Sequence, residues 1–192
     1  MTETVRNVSA DLLSDNWAIL KRYRLEHRRL DGEWQEIVRE VYDHGDGVVV
    51  LPYDPIGRTV VLTRQFRLPC YLNGVETGLF IEAPAGLLDE AAPVDRVRSE
   101  AMEEIGYQLK KPQFLFDLFM SPGSVSERLH FYIAEIEATD QVGPGGGLVS
   151  EHEDIEVMTI LFDEALEMIV RGEIRDAKTI LLLQHLRVKN LL

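Results

Sequence analysis

Cysteine is almost absent from this sequence, because Cys70 is the only one in 192 residues. A single thiol excludes a disulfide within the chain, which fits a reducing compartment. No apolar run approaches the roughly 18 residues of a membrane-spanning helix, and the first residues lack the basic-then-apolar pattern of a secretory signal. We therefore expect a cytoplasmic protein that has no membrane partner.

Basic residues are also scarce, since 20 Lys and Arg stand against 33 Asp and Glu for a net charge of -13. A field of this sign repels nucleic-acid backbones, so nucleic acid is excluded as a general partner. An anionic substrate would have to be met by a metal ion or by local arginines. The length and the apolar fraction of 45% are those of a globular domain with a proper core.

The N-terminal part has two strand-like segments, residues 17–28 and 33–44, on either side of Leu30-Asp31-Gly32. Asp-Gly between such segments is a strong hairpin signal. We predict an N-terminal β region over residues 1–44 and a second domain over residues 45–192.

The rest of the chain mixes strands and helices, which predicts an α+β fold. Runs rich in Val, Leu and Phe predict strands, and two amphipathic segments near the C-terminus predict helices. His130 lies among apolar strand residues, and we interpret it as a packed or paired histidine. The predicted strands are 48–54, 58–67, 78–82, 114–120 and 128–138, and the predicted C-terminal helices are 162–171 and 176–190.

A glycine turn, a proline and a short acidic helix follow one another between Ala85 and Tyr107. Pro93 suits the first helical position and Gly106 a left-handed C-terminal cap, which bounds a helix at about 93–104. At about 100° per residue, Glu100 and Glu104 are only about 40° apart, while Glu103 points further towards solvent. Two acids one turn apart beside an apolar stripe suit a hard cation such as Mg²⁺. The alternative is a solvated acidic helix face.

Three further features allow a functional and a plain interpretation. Arg64 and Arg67 end an apolar strand, where they either clamp a phosphate or simply reach solvent. The glycine-rich stretch 143–147 precedes Glu151, Glu153 and Asp154, and is either a mobile lid delivering a carboxylate or a surface loop. Lys178 lies in the first turn of a helix, where the dipole does not favour a cation, so it either contacts a substrate or is solvated.

The pattern Gly86 … Glu100-Ala101-x-Glu103-Glu104-x-Gly106-Tyr107 resembles the Nudix box, G-x5-E-x7-R-E-U-x-E-E-x-G-U, with U aliphatic. The chain as a whole is similar to the GDP-mannose pyrophosphatase branch of the Nudix hydrolases, over residues 12–186. Segments such as LSDNW, REVYD, RQFR, AGLLD and MSPG carry the resemblance outside the box. It implies a Nudix fold, an α/β/α sandwich with a mixed β-sheet between helices. It also implies a homodimer formed through the N-terminal strands.

The box departs from the family pattern at three points. It is one residue shorter between Gly86 and Gly106, and Ala91 and Ala92 stand where an acid is expected. Ser99 replaces the arginine that normally precedes the first paired glutamate, with Arg98 one place earlier. We expect metal binding to survive, with a reduced number of metal ions or a reduced rate.

The resemblance implies Mg²⁺-dependent cleavage of GDP-mannose to GMP and mannose 1-phosphate, with Mn²⁺ as an alternative metal. Glu100, Glu104 and Glu153 are the implied catalytic residues. The implied metal site adds Ala85, through its carbonyl, and Glu103; Glu153 serves either in the metal shell or as the general base. The implied substrate-binding residues are Trp17, Arg39, Glu40, Arg67, Ala85, Gly86, Leu87, Glu127, Asp154 and Lys178.

Two other functions stay open at this point. An ADP-ribose or ADP-sugar pyrophosphatase shares the box and the dimer, and only a substrate panel separates it from a GDP-mannose enzyme. A non-catalytic nucleotide-sugar sensor is the second alternative, which Ala92 and Ser99 favour.

Overall fold

The computed structural model of the protein describes residues 3–192. They form two compact units. The first comprises the described residues up to Asp46 together with Phe119–Arg128, and the second comprises Gly47–Leu118 and Leu129–Leu192.

The first unit is built on a three-stranded antiparallel sheet of β1 (Val5–Asp15), β2 (Ile19–Arg28) and β3 (Trp34–Asp43), in that order. The predicted hairpin at Asp31-Gly32 is confirmed, with Gly32 at a φ of +92°. No strand was predicted at the residues of β1, although they lie within the predicted β region. Register shifts between Arg6 and Ser9 and between Leu12 and Ser14 break the alternation by which a strand is recognised.

A distant loop, Phe119–Arg128, also belongs to this unit. The amide of Tyr42 in β3 donates to the Ser124 carbonyl at 2.9 Å, and the Ser126 amide donates to the Tyr42 carbonyl at 3.1 Å. The sequence did not indicate this pairing, because the partners are about 80 residues apart. The predicted boundary between residues 44 and 45 stays a prediction.

The second unit contains a mixed sheet of seven strands in the described part of the chain. The order is β10-β5-β4-β9-β8, with β6 added on β5 and β7 on β4; β4 runs parallel to β9 and antiparallel to β5. The strands are β4 (Gly47–Asp54), β5 (Thr59–Phe66), β6 (Leu79–Glu82), β7 (Ala85–Leu87), β8 (Gln113–Phe119), β9 (Arg128–Glu135) and β10 (Glu156–Leu161).

Four helices accompany this sheet in the described residues: α1 (Leu68–Leu72), α2 (Pro93–Ile105), α3 (Phe162–Val170) and α4 (Ala177–Val188). Strand β4 is buried from Gly47 to Tyr53, so both of its faces are covered. Val48 and Val50 share one core cluster with residues of α2. Helix α4 also contacts β4 and buries three leucines outside that cluster. The predicted α+β class with a mixed sheet is confirmed.

Several local predictions are also confirmed. Helix α2 begins at Pro93 and ends one residue beyond the predicted limit, and Gly106 adopts the left-handed cap with a φ of +73°. His130 is paired, since its Nδ1 lies 2.6 Å from Asp117 Oδ1. The short helix α1 and strand β10 were not predicted. Between residues 3 and 192, no helix is both long and apolar enough to cross a membrane.

Candidate active site

Helix α2 carries two buried carboxylates on the face that packs against the sheet. Glu100 and Glu104 lie beside Val97, Ala101 and Ile105, which are all buried. The Glu104 side chain accepts from the Ala85 amide at 3.1 Å and from the Gln65 side-chain amide at 3.5 Å. The alternative of a solvated acidic face is therefore wrong for these two acids, whereas Glu103 is only half-buried.

Gly86 makes room for one of these acids. A Cβ atom at this position would lie 1.9 Å from Glu100 Oε1, far inside van der Waals contact. The missing side chain thus lets the Glu100 carboxylate rest on the backbone of β7. This close approach explains why the box begins with glycine.

Arg96 supplies the positive charge beside Glu100. Its Nη2 lies 2.5 Å from Glu100 Oε1, and its Nε donates to the Leu87 carbonyl at 2.9 Å. The contact with Glu100 is an ion pair without hydrogen-bond geometry, so Oε1 stays without a hydrogen-bond partner although it is buried. Arg98 instead pairs with the exposed Asp95 at 3.1 Å. Arg96 therefore provides the support that Ser99 and Arg98 do not.

The two buried acids hold their protons more tightly than ordinary glutamates. Burial raises the pKa of Glu100 to about 7, against the opposing charge of Arg96 and with help from Glu103 and Glu153. Burial also raises the pKa of Glu104 well above its usual range, and the charge of Glu100 adds to the effect. An added cation would relieve this repulsion between like charges.

The residues fit a divalent cation. Glu100 has a buried oxygen without a hydrogen-bond partner, and two acids repel each other at the Gly86 turn, where the Ala85 carbonyl offers a further hard oxygen. In the described part of the chain, no three acidic, histidine or cysteine side chains already converge as a metal cluster. A complete shell therefore requires side-chain rotation or water ligands.

The glycine-rich stretch is tied to the C-terminal end of α2. The amides of Val142 and Gly143 donate to the Gly106 carbonyl at 2.9 and 3.1 Å, and the Gly146 amide donates to the Glu104 carbonyl at 2.9 Å. A Cβ on Gly145 would lie 2.5 Å from that same carbonyl oxygen. These glycines therefore allow a close backbone contact with α2, and the mobile lid stays a prediction.

Glu153 follows this anchored loop after a 3-10 turn at Val149–Glu151. Its Oε2 accepts from the Leu148 amide at 2.9 Å. The negative charge of Glu153 raises the pKa of both Glu100 and Glu104, so it acts on the same site. Asp154, in contrast, is exposed.

A second cluster of charges lies at the end of β6. Glu82 accepts from Arg67 Nε at 2.6 Å and from Lys178 Nζ at 2.5 Å. Lys178 also donates to Asp176, the N-cap of α4, at 3.0 Å. Burial alone would raise the pKa of Glu82, but the charges of Lys178 and Arg67 and their hydrogen bonds outweigh it, so the pKa is lowered. Lys178 is thus partnered rather than solvated.

Four predicted substrate residues belong to the first unit. The Trp17 ring is 72% exposed and stacks on His44 with 5.5 Å between the ring centroids. Glu127 Oε1 lies 4.0 Å from His44 Nε2. Glu40 pairs with Arg22 at 3.0 Å, and Arg39 Nη1 donates to the Val38 carbonyl at 2.7 Å.

Sequence reasoning missed Glu82 and Arg96. The spacing of Arg96 and Glu100, four residues apart on one helix, was a usable signal for an ion pair. Glu82 had no such signal, because its partners are 15 and 96 residues away along the chain.

Comparisons with known proteins identify relatives over the whole chain. A protein from Pectobacterium atrosepticum (strain SCRI 1043) named GDP-mannose pyrophosphatase is 48% identical over 185 residues, which cover 96% of this chain and 95% of that protein. A GDP-mannose pyrophosphatase from Escherichia coli O1:K1 is 46% identical over 192 residues, the full length of both chains. The chain belongs to the GDP-mannose pyrophosphatase family of Nudix hydrolases.

The first unit carries its own family match. Residues 4–42 match the family model described as the GDP-mannose pyrophosphatase NudK N-terminal domain. Strands β1, β2 and most of β3 lie in this range. As a Nudix hydrolase, the protein is an enzyme whose family works with a divalent metal ion.

Proposed function

We propose that this enzyme hydrolyses the pyrophosphate linkage of GDP-mannose to GMP and mannose 1-phosphate, with Mg²⁺ as its cofactor. One observation carries the proposal. The buried carboxylates of Glu100 and Glu104 meet the Gly86 turn in a chain that is 46–48% identical to proteins named GDP-mannose pyrophosphatase. Mn²⁺ is the alternative metal.

The metal would be held by hard oxygen ligands on α2 and at the Gly86 turn. Glu100, Glu104 and the Ala85 carbonyl supply three of them, and Glu103 or Glu153 supplies another. A bound Mg²⁺ neutralises pyrophosphate oxygens and acidifies water. The ion pair with Arg96 keeps Glu100 in place.

The other site residues bind the substrate and move a proton. Arg67 neutralises terminal phosphate oxygens, because its Nε is held by Glu82 while the edge with its two terminal nitrogens lies outside this ion pair. Lys178 contributes a second positive charge. Glu153 accepts the proton of the attacking water through the oxygen that does not bind Leu148.

The remaining predicted residues recognise the base and the sugar. Trp17 stacks one face on His44, and we propose that its other face stacks on the guanine. Arg39, Glu40 and Glu127 contact the nucleotide sugar, while Gly86 and Leu87 contact it through their backbone. Asp154 is the last of the predicted substrate-binding residues.

We also propose a homodimer through the N-terminal strands. Among residues 3–46, Ala18 is the only buried one, and β1 carries exposed Val8 and Leu12. Such an apolar surface on an edge strand favours pairing with a second chain. Light scattering coupled to size-exclusion chromatography tests it, and a monomer at micromolar concentration would contradict it. The single Cys70 supports a cytoplasmic location.

A substrate panel tests the activity. Purified enzyme with Mg²⁺ is given GDP-mannose, ADP-ribose and ADP-glucose, and the products are separated by anion-exchange chromatography. We expect the highest kcat/KM for GDP-mannose, with GMP and mannose 1-phosphate in equal amounts. A preference for an ADP compound would overturn the substrate, and binding without any product would indicate a sensor.

A further inference from the structure

Glu82 is one of the most deeply buried acids of the second unit, with a side chain that is 3% exposed. It ends β6, three residues before the Ala85-Gly86 turn. Its two carboxylate oxygens are divided between two cations, Oε1 with Arg67 and Oε2 with Lys178. One acid therefore fixes two positive charges that approach it from different elements.

The two cations belong to different elements. Arg67 follows β5 and is the N-cap of α1, whereas Lys178 lies in the first turn of α4. Thr179 connects α4 to the residue after β6, because its hydroxyl accepts from the Ala83 amide at 2.6 Å and donates to Asp176. The packing of α4 on the sheet thus has its own hydrogen bonds and does not need the ion pair of Lys178.

Stability alone does not explain a buried cluster of this kind. Desolvation of a buried ion pair roughly cancels its Coulomb energy, and apolar replacements of similar volume are often as stable. The exposure of the three side chains is graded, from 3% for Glu82 through 15% for Lys178 to 39% for Arg67. The carboxylate end of the cluster is therefore buried in the core, and the Arg67 guanidinium is its most exposed part.

The geometry of the Arg67 contact leaves a binding surface. Glu82 accepts a hydrogen bond from Arg67 Nε, so the edge of the guanidinium with the two terminal nitrogens lies outside this ion pair. A guanidinium fork held by one edge presents its other donors in a fixed plane, which suits two oxygens of a phosphate. The ammonium of Lys178 has three N–H donors, of which two are hydrogen-bonded to Glu82 and Asp176.

We infer that Glu82 is a positioning residue that holds the Arg67 guanidinium and the Lys178 ammonium as a paired cationic clamp for the diphosphate of the substrate. The inference rests on the proposed function. The two carboxylate oxygens of Glu82 are hydrogen-bonded to the two cations, so loss of Glu82 should weaken anion binding more than metal binding.

Glu82→Gln is the direct test, because it keeps the volume and removes the charge. We expect KM for GDP-mannose to rise about 10- to 100-fold with a smaller fall in kcat, since a misplaced binding group costs about this much. Inhibition by inorganic pyrophosphate should weaken by a similar factor. Stabilisation of the substrate-free protein by Mg²⁺, measured as a shift in Tm, should stay as in the wild type.

Glu156→Gln is the matched control. Glu156 in β10 pairs with Arg64, which lies three residues before Arg67, and this ion pair is on the surface. We expect its KM and pyrophosphate inhibition to stay within twofold of the wild type. If Glu82→Gln does not fold, Glu82→Asp retains the charge but shortens the reach, and the same increase in KM is expected.

A double-mutant cycle decides between positioning and plain structural support. If Glu82 acts through the two cations, Glu82→Gln should raise KM clearly less in the Arg67→Met background than in the wild type, and the remaining effect should come from Lys178. Multiplying effects, or a lower Tm with KM unchanged, would overturn the inference. Hydrolysis of GDP-mannose by the wild type is measured in the same series, so a failure of the proposed function is seen separately.

Discussion

Arg96 links helix α2 to the glycine turn, because its guanidinium donates to the Leu87 carbonyl at 2.9 Å and lies 2.5 Å from the Glu100 carboxylate. The family pattern places an arginine directly before this glutamate, where the present chain has Ser99. A side chain four residues earlier lies on the same helical face and can reach the same carboxylate. The departure in the box is therefore compensated within one helical turn.

Arg96→Gln should lower kcat/KM about 10- to 100-fold, because the ion pair that holds the proposed metal ligand Glu100 is lost. The affinity for Mg²⁺, followed by isothermal titration calorimetry, should fall with it. Arg98→Gln is the control, since Arg98 pairs with the exposed Asp95, and it should stay within twofold of the wild type. Equal losses in both variants would assign the support to Arg98 after all.

Gly86→Ala should displace the Glu100 carboxylate. The added Cβ would lie 1.9 Å from Glu100 Oε1, so either the side chain or β7 has to move. We expect kcat to fall about 100-fold and the free energy of unfolding to fall by about 1–3 kcal/mol. Gly123→Ala, which meets no atom within 4 Å, should leave the urea midpoint unchanged. Wild-type activity in Gly86→Ala would argue against a site at this turn.

Helix α2 was predictable from the sequence because its signals are local. A proline at its first position, a glycine at its cap and an apolar stripe beside two acids all lie within 14 residues. The position of Glu100 and Glu104 beside that stripe was predicted, but their burial and the close contact with Gly86 were not. That contact depends on how β7 pairs with β4, which is a tertiary property.

The charge cluster around Glu82 was harder to predict from the sequence. Arg67 and Lys178 were singled out, yet nothing in their own neighbourhoods pointed to Glu82 as the acid they share. The glycine-rich stretch 143–147 was interpreted as a mobile lid or a surface loop. Its close packing was not predicted: a Cβ at Gly145 would collide with the end of α2.

Asp140 should contribute to acid stability in the second unit. Its Oδ1 lies 2.6 Å from Lys110 Nζ and its Oδ2 accepts from the Glu137 amide at 2.9 Å, and these bonds lower its pKa below the ordinary value. A lowered pKa gives stability that is present above about pH 4, the unfolded value, and is lost as the pH falls through the folded value. We expect the difference in urea midpoint between wild type and Asp140→Asn to be largest at pH 7 and to shrink below pH 4. A difference that is constant from pH 7 to pH 3 would contradict a role for this carboxylate charge.

Glu104→Gln should abolish turnover and leave the fold intact. The neutral amide has nearly the same volume and removes the repulsion with Glu100 and Glu82, so Tm should not fall. As an amide is a poor ligand for a hard cation, we expect kcat to drop about 100-fold or more. Full activity with Mg²⁺ present would refute the assignment of the site.

Trp17 offers an optical test of nucleotide binding, because Trp34 is the only other tryptophan in the chain. Trp17 is largely exposed, whereas the Arg6 guanidinium lies 4.1 Å from the ring centroid of Trp34. If guanine stacks on Trp17, GDP should quench the fluorescence of the wild type and of Trp34→Phe, but not that of Trp17→Phe. Stacking on an aromatic ring contributes about 1–3 kcal/mol per base, so Trp17→Ala should raise KM for GDP-mannose about 5- to 100-fold. Because the ring is exposed, Tm should change little. Quenching that persists in Trp17→Phe and disappears in Trp34→Phe would place the base against the other tryptophan.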